Sequence, residues 1–380
     1  MADPIQVTEV LIKAPVYGFD RARLVASRER RRIVGDFVLD WLDVVSSRQF
    51  ADTIALTKSD YDSHGYQIHP YFMLKPGRPP GNRRHQFTSY VPYRCLLPRH
   101  LEGILVVGLG LSAHRDAMPI LRMQPDLQNI GYAAGIAAAM AARGGKGLRE
   151  IDVRELQKRI IAAGGLTSEI PRHRDAATPS PEVLRDAVAR LVKGFDGLEV
   201  VMAWPKQSLP ELHRAYDEAA SAENRLVLAL VLGIMRDPHG AESLIREAER
   251  LVTDDDLEVA RDAYGLDPVV RVLWALGRSP HPDVLPALIR LADSTVLTSS
   301  TRFRAAAVCL GERGDTRAVP LLRKLVARKE GSNSVLELIA ASALFRCGDP
   351  DGTARRILER MAVSANAPFA DLATQLLGGA

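Results

Sequence analysis

The chain of 380 residues has few cysteines: Cys95, Cys309 and Cys347, far apart and without a Cys-x-x-Cys. That excludes a disulfide scaffold and any iron–sulfur or zinc site built from local cysteine spacing. No stretch reaches the ~18 consecutive apolar residues of a membrane span. The run from Ile130 to Ala142 is too short, and its alanines are only weakly apolar. The opening MADPIQVTEV lacks a basic segment followed by an apolar one, so no signal peptide is visible. A reducing, cytoplasmic compartment without membrane association is expected. Charge of one sign is also missing. Fifty basic residues face 46 acidic ones, for a net charge of +4, a mixed surface rather than a nucleic-acid footprint. With 47% hydrophobic and 25% charged residues, the composition is that of a soluble globular protein long enough for two or more domains.

Along the first ~165 residues, strand and loop signals alternate with a few helices. RRIVGDFVLD (31–40) predicts a strand pair or a strand and turn. Residues 58–100, rich in Tyr, His, Pro and Gly, predict irregular chain with edge strands at best. GILVVGLG (103–110) predicts a short buried strand ending in glycines. In IDVRELQKRIIAAGG, the spacing of Val153, Leu156, Ile160 and Ile161 predicts a helix capped by Asp152 and ended by Gly164–Gly165. The Pro/Ser/Thr-rich stretch 166–182 is the expected domain boundary, followed by two capped helices in SPEVLRDAVARLV and SLPELHRAYDEAASA.

From about residue 221 the sequence repeats. An apolar helix ends at Leu232, Leu276, Leu310 and Leu344, and a polar turn carries Asp237, His281, Asp315 or Asp349 five residues later. A second amphipathic helix follows each turn. One such pair cannot bury its apolar face alone, but stacked pairs can. The pattern resembles HEAT-like repeats of the phycobilisome-lyase type and predicts a short α-solenoid; an ordinary helical bundle is the alternative.

Several motifs imitate chemistry. Gly108-x-Gly110-x-x-Ala113 follows a strand-like ILVV, but Pro119 and Pro125 interrupt the helix that a dinucleotide fingerprint must open. RGGKG (143–147) fails as a phosphate loop: Met140 stands in place of the first glycine, and Gly147 in place of Ser/Thr. It reads as a helix stop. RERRR (28–32) has no interleaved aromatics and reads as a solvated charge run. Tyr66, His69 and Tyr93 share the irregular segment; His69 could move protons near neutral pH, but a structural role is the simpler reading.

NIGYAAGIAAAMAARGG (129–145) reads as a helix with almost no bulk, and Gly131 and Gly135 share one of its faces. A core helix normally presents Leu, Ile or Phe. The small residues predict a close approach by something else.

Together, residues ~28–165 resemble the C-terminal half of the FAD-dependent oxidoreductase family. Three blocks carry the resemblance: RERRRIVGDFVL (28–39), VPYRCLLPRHLEGILVVG (91–108) and GLGLSAHRDAMPILRMQPDLQNIGYAAGIAAA (108–139). Gly108, Ser112, Ala117, Arg122, Pro125, Gly131, Ala133, Ala134 and Gly135 fall on the family's last strand–loop–helix. The resemblance implies a mixed fold: an incomplete α/β, Rossmann-like FAD-binding domain with a β-rich substrate-side segment (1–165), a helical connector (166–220) and a HEAT-like all-α solenoid (221–380). It implies FAD as cofactor, with Gly108, Ser112, Arg122, Gly131, Ala134 and Gly135 as the binding residues. The flavin pyrophosphate would lie where the last strand ends and the glycine-opened helix begins. Leu109 departs from the family's usual Arg, and no Gly-x-Gly-x-x-Gly occurs in residues 1–100. The chain is therefore expected to be the C-terminal part of a flavin oxidoreductase that needs a separately supplied N-terminal half. A solenoid scaffold that binds a protein partner, with a degenerate flavoprotein domain, is the alternative function.

Overall fold

A computed structural model describes residues 32–63, 67–75, 87–253, 267–295, 299–332 and 334–378. Tyr66 and residues 28–31 of the arginine run lie outside the described residues. The chain divides into two compact units, 1–65 with 86–176, and 66–85 with 177–380.

The first unit contains α1 (Trp41–Val45), β1 (Thr53–Thr57), β2 (Ser89–Pro92), α2 (Met118–Leu121), α3 (Gln124–Gly144) and α4 (Val153–Ala162). Asp40 caps α1 by accepting from the Leu42 amide at 3.0 Å, and Asp43 returns a bond to the Asp40 amide at 2.8 Å. Trp41 packs against Tyr61 and Phe87 with ring centroids 4.7 and 5.2 Å away. The two strands pair antiparallel, with a register shift between Thr53 and Ala55. As expected, α4 begins at Asp152, whose carboxylate accepts from the Arg154 and Glu155 amides, and it buries Leu156 and Ile160. Gln157, on the same face, donates to the carbonyls of Ala51 and Thr53, both at 2.9 Å, which holds α4 against the start of β1.

Two strand expectations fail. The described residues hold one two-stranded antiparallel sheet and no parallel sheet. RRIVGDFVLD makes only single bridges, Gly35 with Pro98 and Leu39 with Ala113. Its backbone lies instead between two loops, with Ile33 donating to Gly110, Asp36 to Leu97 and Leu39 to Ser112. Gly35 is obligatory here, because a Cβ would come within 2.7 Å of the Ser112 Cβ. The stretch 103–110 is not a buried strand but an exposed or half-buried segment ending in a 3-10 turn, Gly108–Gly110. Among residues 104–107 only Val106 donates to a described backbone carbonyl, that of Leu96. A strand needs neighbours for its amides and carbonyls, and no described strand lies beside this one.

The second unit is built from helix pairs. After α5 (Pro181–Arg190), α6 (Leu198–Ala203) and α7 (Pro205–Glu218) come α8 (Ala222–Ile234) and α9 (Ala241–Val252), then α10 (Pro268–Arg278) and α11 (Val284–Thr295). The last pairs are α12 (Ser300–Arg313) with α13 (Val319–Lys329) and α14 (Val335–Arg346) with α15 (Thr353–Ala362), closed by α16 (Ala367–Gly378). The first helices, α8, α10, α12 and α14, each pack on the next, and α9 packs on α11. Ser221, Asp267, Ser299 and Ser334 cap them.

The recurring turn has a local physical cause. Asp237, Asp315 and Asp349 each accept a backbone N–H a few residues ahead, at 2.8–2.9 Å. His281 does the same work, with Nδ1 accepting from the Asp283 amide at 3.2 Å. One residue past the first three closing leucines, Gly233, Gly277 and Gly311 lie directly on the next first helix. A Cβ at Gly233 would stand 2.8 Å from the Ala275 carbonyl oxygen, and one at Gly311 would stand 2.7 Å from the Ala343 Cα. A Cβ at Gly277 would overlap the Cys309 side chain. Arginines then bridge successive turns: Arg278 donates to the Ile234 carbonyl at 2.9 Å, and Arg313 donates to the Ser279 carbonyl at 2.5 Å. These carbonyls close helices whose last groups lack intrahelical donors. Within the same unit, residues 67–75 dock through the Leu74 carbonyl, which accepts from Arg271 at 2.9 Å, and through Lys75, paired with Asp196 at 2.9 Å.

Gly277→Ala should destabilise the solenoid by about 1–3 kcal/mol, because the added methyl has no space without a helix shift. Urea denaturation followed by circular dichroism checks this; unchanged stability would contradict the packing described.

Candidate functional site

Helix α3 is helical because alanine is the strongest helix former. Pro125 sits in its first turn, and Gly145, at φ +58°, ends it in the left-handed conformation. Its small residues serve two different faces. Ile130, Ala133, Ala134, Ala137 and Ala141 are buried, and α3 packs against β1. Gly131, Gly135, Ala138 and Ala142 recur at helical spacing on a second face, where Gly131 is half-buried and the other three are exposed. A Cβ added at Gly131 or Gly135 meets nothing within 4 Å. Each glycine costs the helix about 0.5–1 kcal/mol relative to alanine, and no described group exploits the space.

The segment before α3 has the same incompleteness. Ile104 and Val107 are 46% and 41% exposed, although both belong to the apolar run. Gly108, at φ +69°, opens the 3-10 turn that packs on α3, and a Cβ there also meets nothing within 4 Å.

The six sequence-derived binding residues thus fall into two groups. Gly108, Gly131 and Gly135 leave open surface. Ser112 and Ala134 are buried behind it. Ser112 Oγ accepts from the Gly35 amide at 2.9 Å and so braces the loop. Arg122 is between these cases. One guanidinium nitrogen donates to the Asp62 carbonyl at 2.7 Å, while its Nε is buried with no hydrogen-bond partner.

Some polar groups of this unit were not evident from spacing because they join distant residues. Asp126, in the first turn of α3, accepts from the Ser59 hydroxyl, and burial pushes its carboxyl above the usual carboxylate range. That end of the helix therefore already holds an acid, which competes with any external anion for the helix dipole. Arg94 lies over the rings of Phe37 and Phe50, 5.1 and 5.5 Å from their centroids, and pairs with Asp175 at 2.5 Å. Its neighbour Tyr93 donates to the Leu148 carbonyl at 2.9 Å, and burial pushes the phenol up to about 12. His173 meets Tyr90 edge-on at 5.0 Å, and burial lowers its imidazole pKa. His69 and Tyr93 belong to different compact units. His69 caps a 3-10 turn, accepting from the Tyr71 amide at 3.1 Å. No three His, Cys, Asp or Glu side chains among the described residues form a metal cluster, and no helix there is long and apolar enough to cross a membrane.

Asp126 gives a signed pH test. A carboxyl raised above its ordinary 3.8 favours folding below that value, and this contribution is lost as pH rises through the folded value. Asp126→Asn should therefore gain stability relative to wild type as pH rises above 3.8, levelling off once the acid is ionised. Paired thermal melts across acidic pH check it; a difference independent of pH would contradict it.

Comparison with known proteins places families on both parts. No curated protein matches the chain, and no solved structure matches it. Residues 9–160 match the FAD dependent oxidoreductase family, and residues 269–344 match HEAT repeats.

Proposed function

We propose that the first unit is the C-terminal part of a flavin oxidoreductase and that it binds FAD jointly with a segment carrying the family's strand–Gly-x-Gly-x-x-Gly–helix. The observation that carries this is the uncovered pair Gly131 and Gly135. Two helix-interior glycines lower the helix's own stability, and nothing described here approaches them. The apolar segment 104–107, which has no strand partner among the described residues and whose one backbone donation is from Val106 to Leu96, supports the same reading, since a parallel neighbour would satisfy its remaining backbone groups and cover Ile104 and Val107. With that neighbour the unit would take on its Rossmann-like character.

The residues fit a flavin in kind. Gly131 and Gly135 admit a flat ligand against the helix backbone, and the Gly108 turn offers a backbone without a side chain in the way. Arg122, in the loop between the Gly108 turn and α3, keeps a buried Nε without a hydrogen-bond partner, although the same guanidinium pairs with the Asp62 carboxylate at 3.3 Å. Ser112 and Ala134 act from behind, fixing the loop and the helix. Because Asp126 occupies the first turn of α3, the pyrophosphate would rely on the fingerprint helix of the added segment for its anion seat. FAD, when bound, would accept and release a hydride or single electrons at its ring. This chain's residues would bind and orient it and exclude water. In this reading the HEAT repeats recruit a protein partner, and their presence also supports the alternative of a scaffold without catalysis.

The test is a flavin titration of the full chain with and without a polypeptide bearing the fingerprint unit. Bound flavin, read from its shifted visible bands and quenched fluorescence, is expected when both are present. Gly135→Leu should abolish that binding without lowering the melting temperature, because its side chain enters open space. Flavin retained by Gly135→Leu, or never bound at all, would contradict the proposal. Separately, Gly131→Ala and Gly135→Ala should each stabilise the uncomplexed chain by about 0.5–1 kcal/mol in thermal melts.

A further inference from the structure

The solenoid turns form a cleft of about 580 Å³ lined by Arg236, Arg278, Arg313 and Arg346, one arginine from each of four successive turns, together with Glu312 and Asp315. Elsewhere in this unit arginines pair with carboxylates at close range, as Arg317 does with Asp315 and Arg323 with Asp351, both at 2.8 Å. None of the four cleft arginines has a carboxylate within ion-pair distance among the described residues; Arg278 and Arg313 bond backbone carbonyls only.

Burial disfavours the charge on Arg278, as does the nearby Arg236; burial also disfavours the charge on Arg313. A guanidinium carries five N–H donors, and the one or two nitrogens used on carbonyls leave the rest available. Glu312 favours the charge on Arg278 and Asp315 that on Arg313, so two of the four positive charges are opposed from within, and the lining of four arginines and two carboxylates keeps a positive surplus.

Arg236 adds an independent observation. It is held at φ +65°, four residues past its closing leucine. The same place is Gly314 at φ +63° and Gly348 at φ +109° in later turns. An arginine is kept where the backbone favours glycine, and no in-chain bond to its side chain compensates.

We propose that this cleft binds an acidic peptide segment of a protein partner, whose carboxylates occupy the arginine row. Packed helices lie about 8–10 Å apart, and the arginines stand four, two, three and two residues past Leu232, Leu276, Leu310 and Leu344 at the ends of successive packed helices. An extended polyproline-II chain rises about 3.1 Å per residue with three residues per turn. Carboxylates at every third residue therefore repeat about every 9 Å on one side, an interval of the same size as the distance between packed helices. Single-stranded nucleic acid fits less well, because no aromatic side chain lines the cleft for base stacking.

The test uses the full chain and a fluorescent peptide of about ten residues with Glu at every third position, followed by anisotropy at low and physiological salt. Saturable binding is expected, weakened at least about tenfold when Gln replaces Glu and at higher salt. Arg236→Gly with Arg346→Ala should weaken it at least about tenfold at unchanged melting temperature. That pair installs the residue other turns use and removes an exposed side chain with no bond to lose. Arg304→Ala with Arg328→Ala, exposed elsewhere on the solenoid, should leave binding unchanged. Equal binding by the cleft variant, equal loss in the control variant, no binding of the Glu peptide, or tighter binding of oligo-dT would each overturn the proposal. The outcome is independent of whether the first unit binds flavin.

Discussion

Backbone brought against backbone where a side chain has been removed is the constraint on which both units depend. In the solenoid, Gly233, Gly277 and Gly311 seat the carbonyl of Ala275, the side chain of Cys309 and the Cα of Ala343 on the following helix. The contact recurs one residue past the closing leucine in three of the four repeats, at the three junctions between successive first helices. In the first unit, Gly35 admits Ser112 in the same way. Gly131 and Gly135 have the same chemistry with no occupant among the described residues. The seats are filled in the one set and open in the other.

Charge is arranged around these contacts. In the turns, arginines reach back to the carbonyls that close the preceding helix, and Asx-type acceptors fold the chain into the next helix. In the first unit, Arg149 ties Asp36 to the carbonyls of Pro98 and Leu101, while Arg94 sits between aromatic rings and Asp175. Isolated surface pairs contribute little. These arginines instead bind several loop segments at once, where secondary structure is scarce.

The repeat architecture was legible because its causes are local. The leucine that closes each first helix and the acceptor five residues on lie within a few residues of one another, and His281 fits the series once its Nδ1 is seen to replace a carboxylate oxygen. Asp152 and the α4 pattern were legible for the same reason. The stretch 103–110 was not, because apolar β-branched residues specify a preference for strand but not the neighbour a strand requires. Asp126 with Ser59 and Arg94 with Asp175 were hidden by their separation along the chain. The sequence marked Gly131 and Gly135 as unusual, but only the structure distinguishes their open surface from the buried face of Ala133, Ala134 and Ala137 on the same helix.

In the proposed function, segment 104–107 and the glycine face of α3 become covered when the flavin and the fingerprint-bearing segment bind. Amide hydrogen exchange tests this most directly. In the chain alone, the amides of Ile104, Leu105 and Val107, which have no described backbone acceptor, should exchange rapidly. With FAD and a fingerprint-bearing segment present, they should become strongly protected as a parallel neighbour pairs with them. Rapid exchange that persists under those conditions, or strong protection already present in the chain alone, would contradict the account.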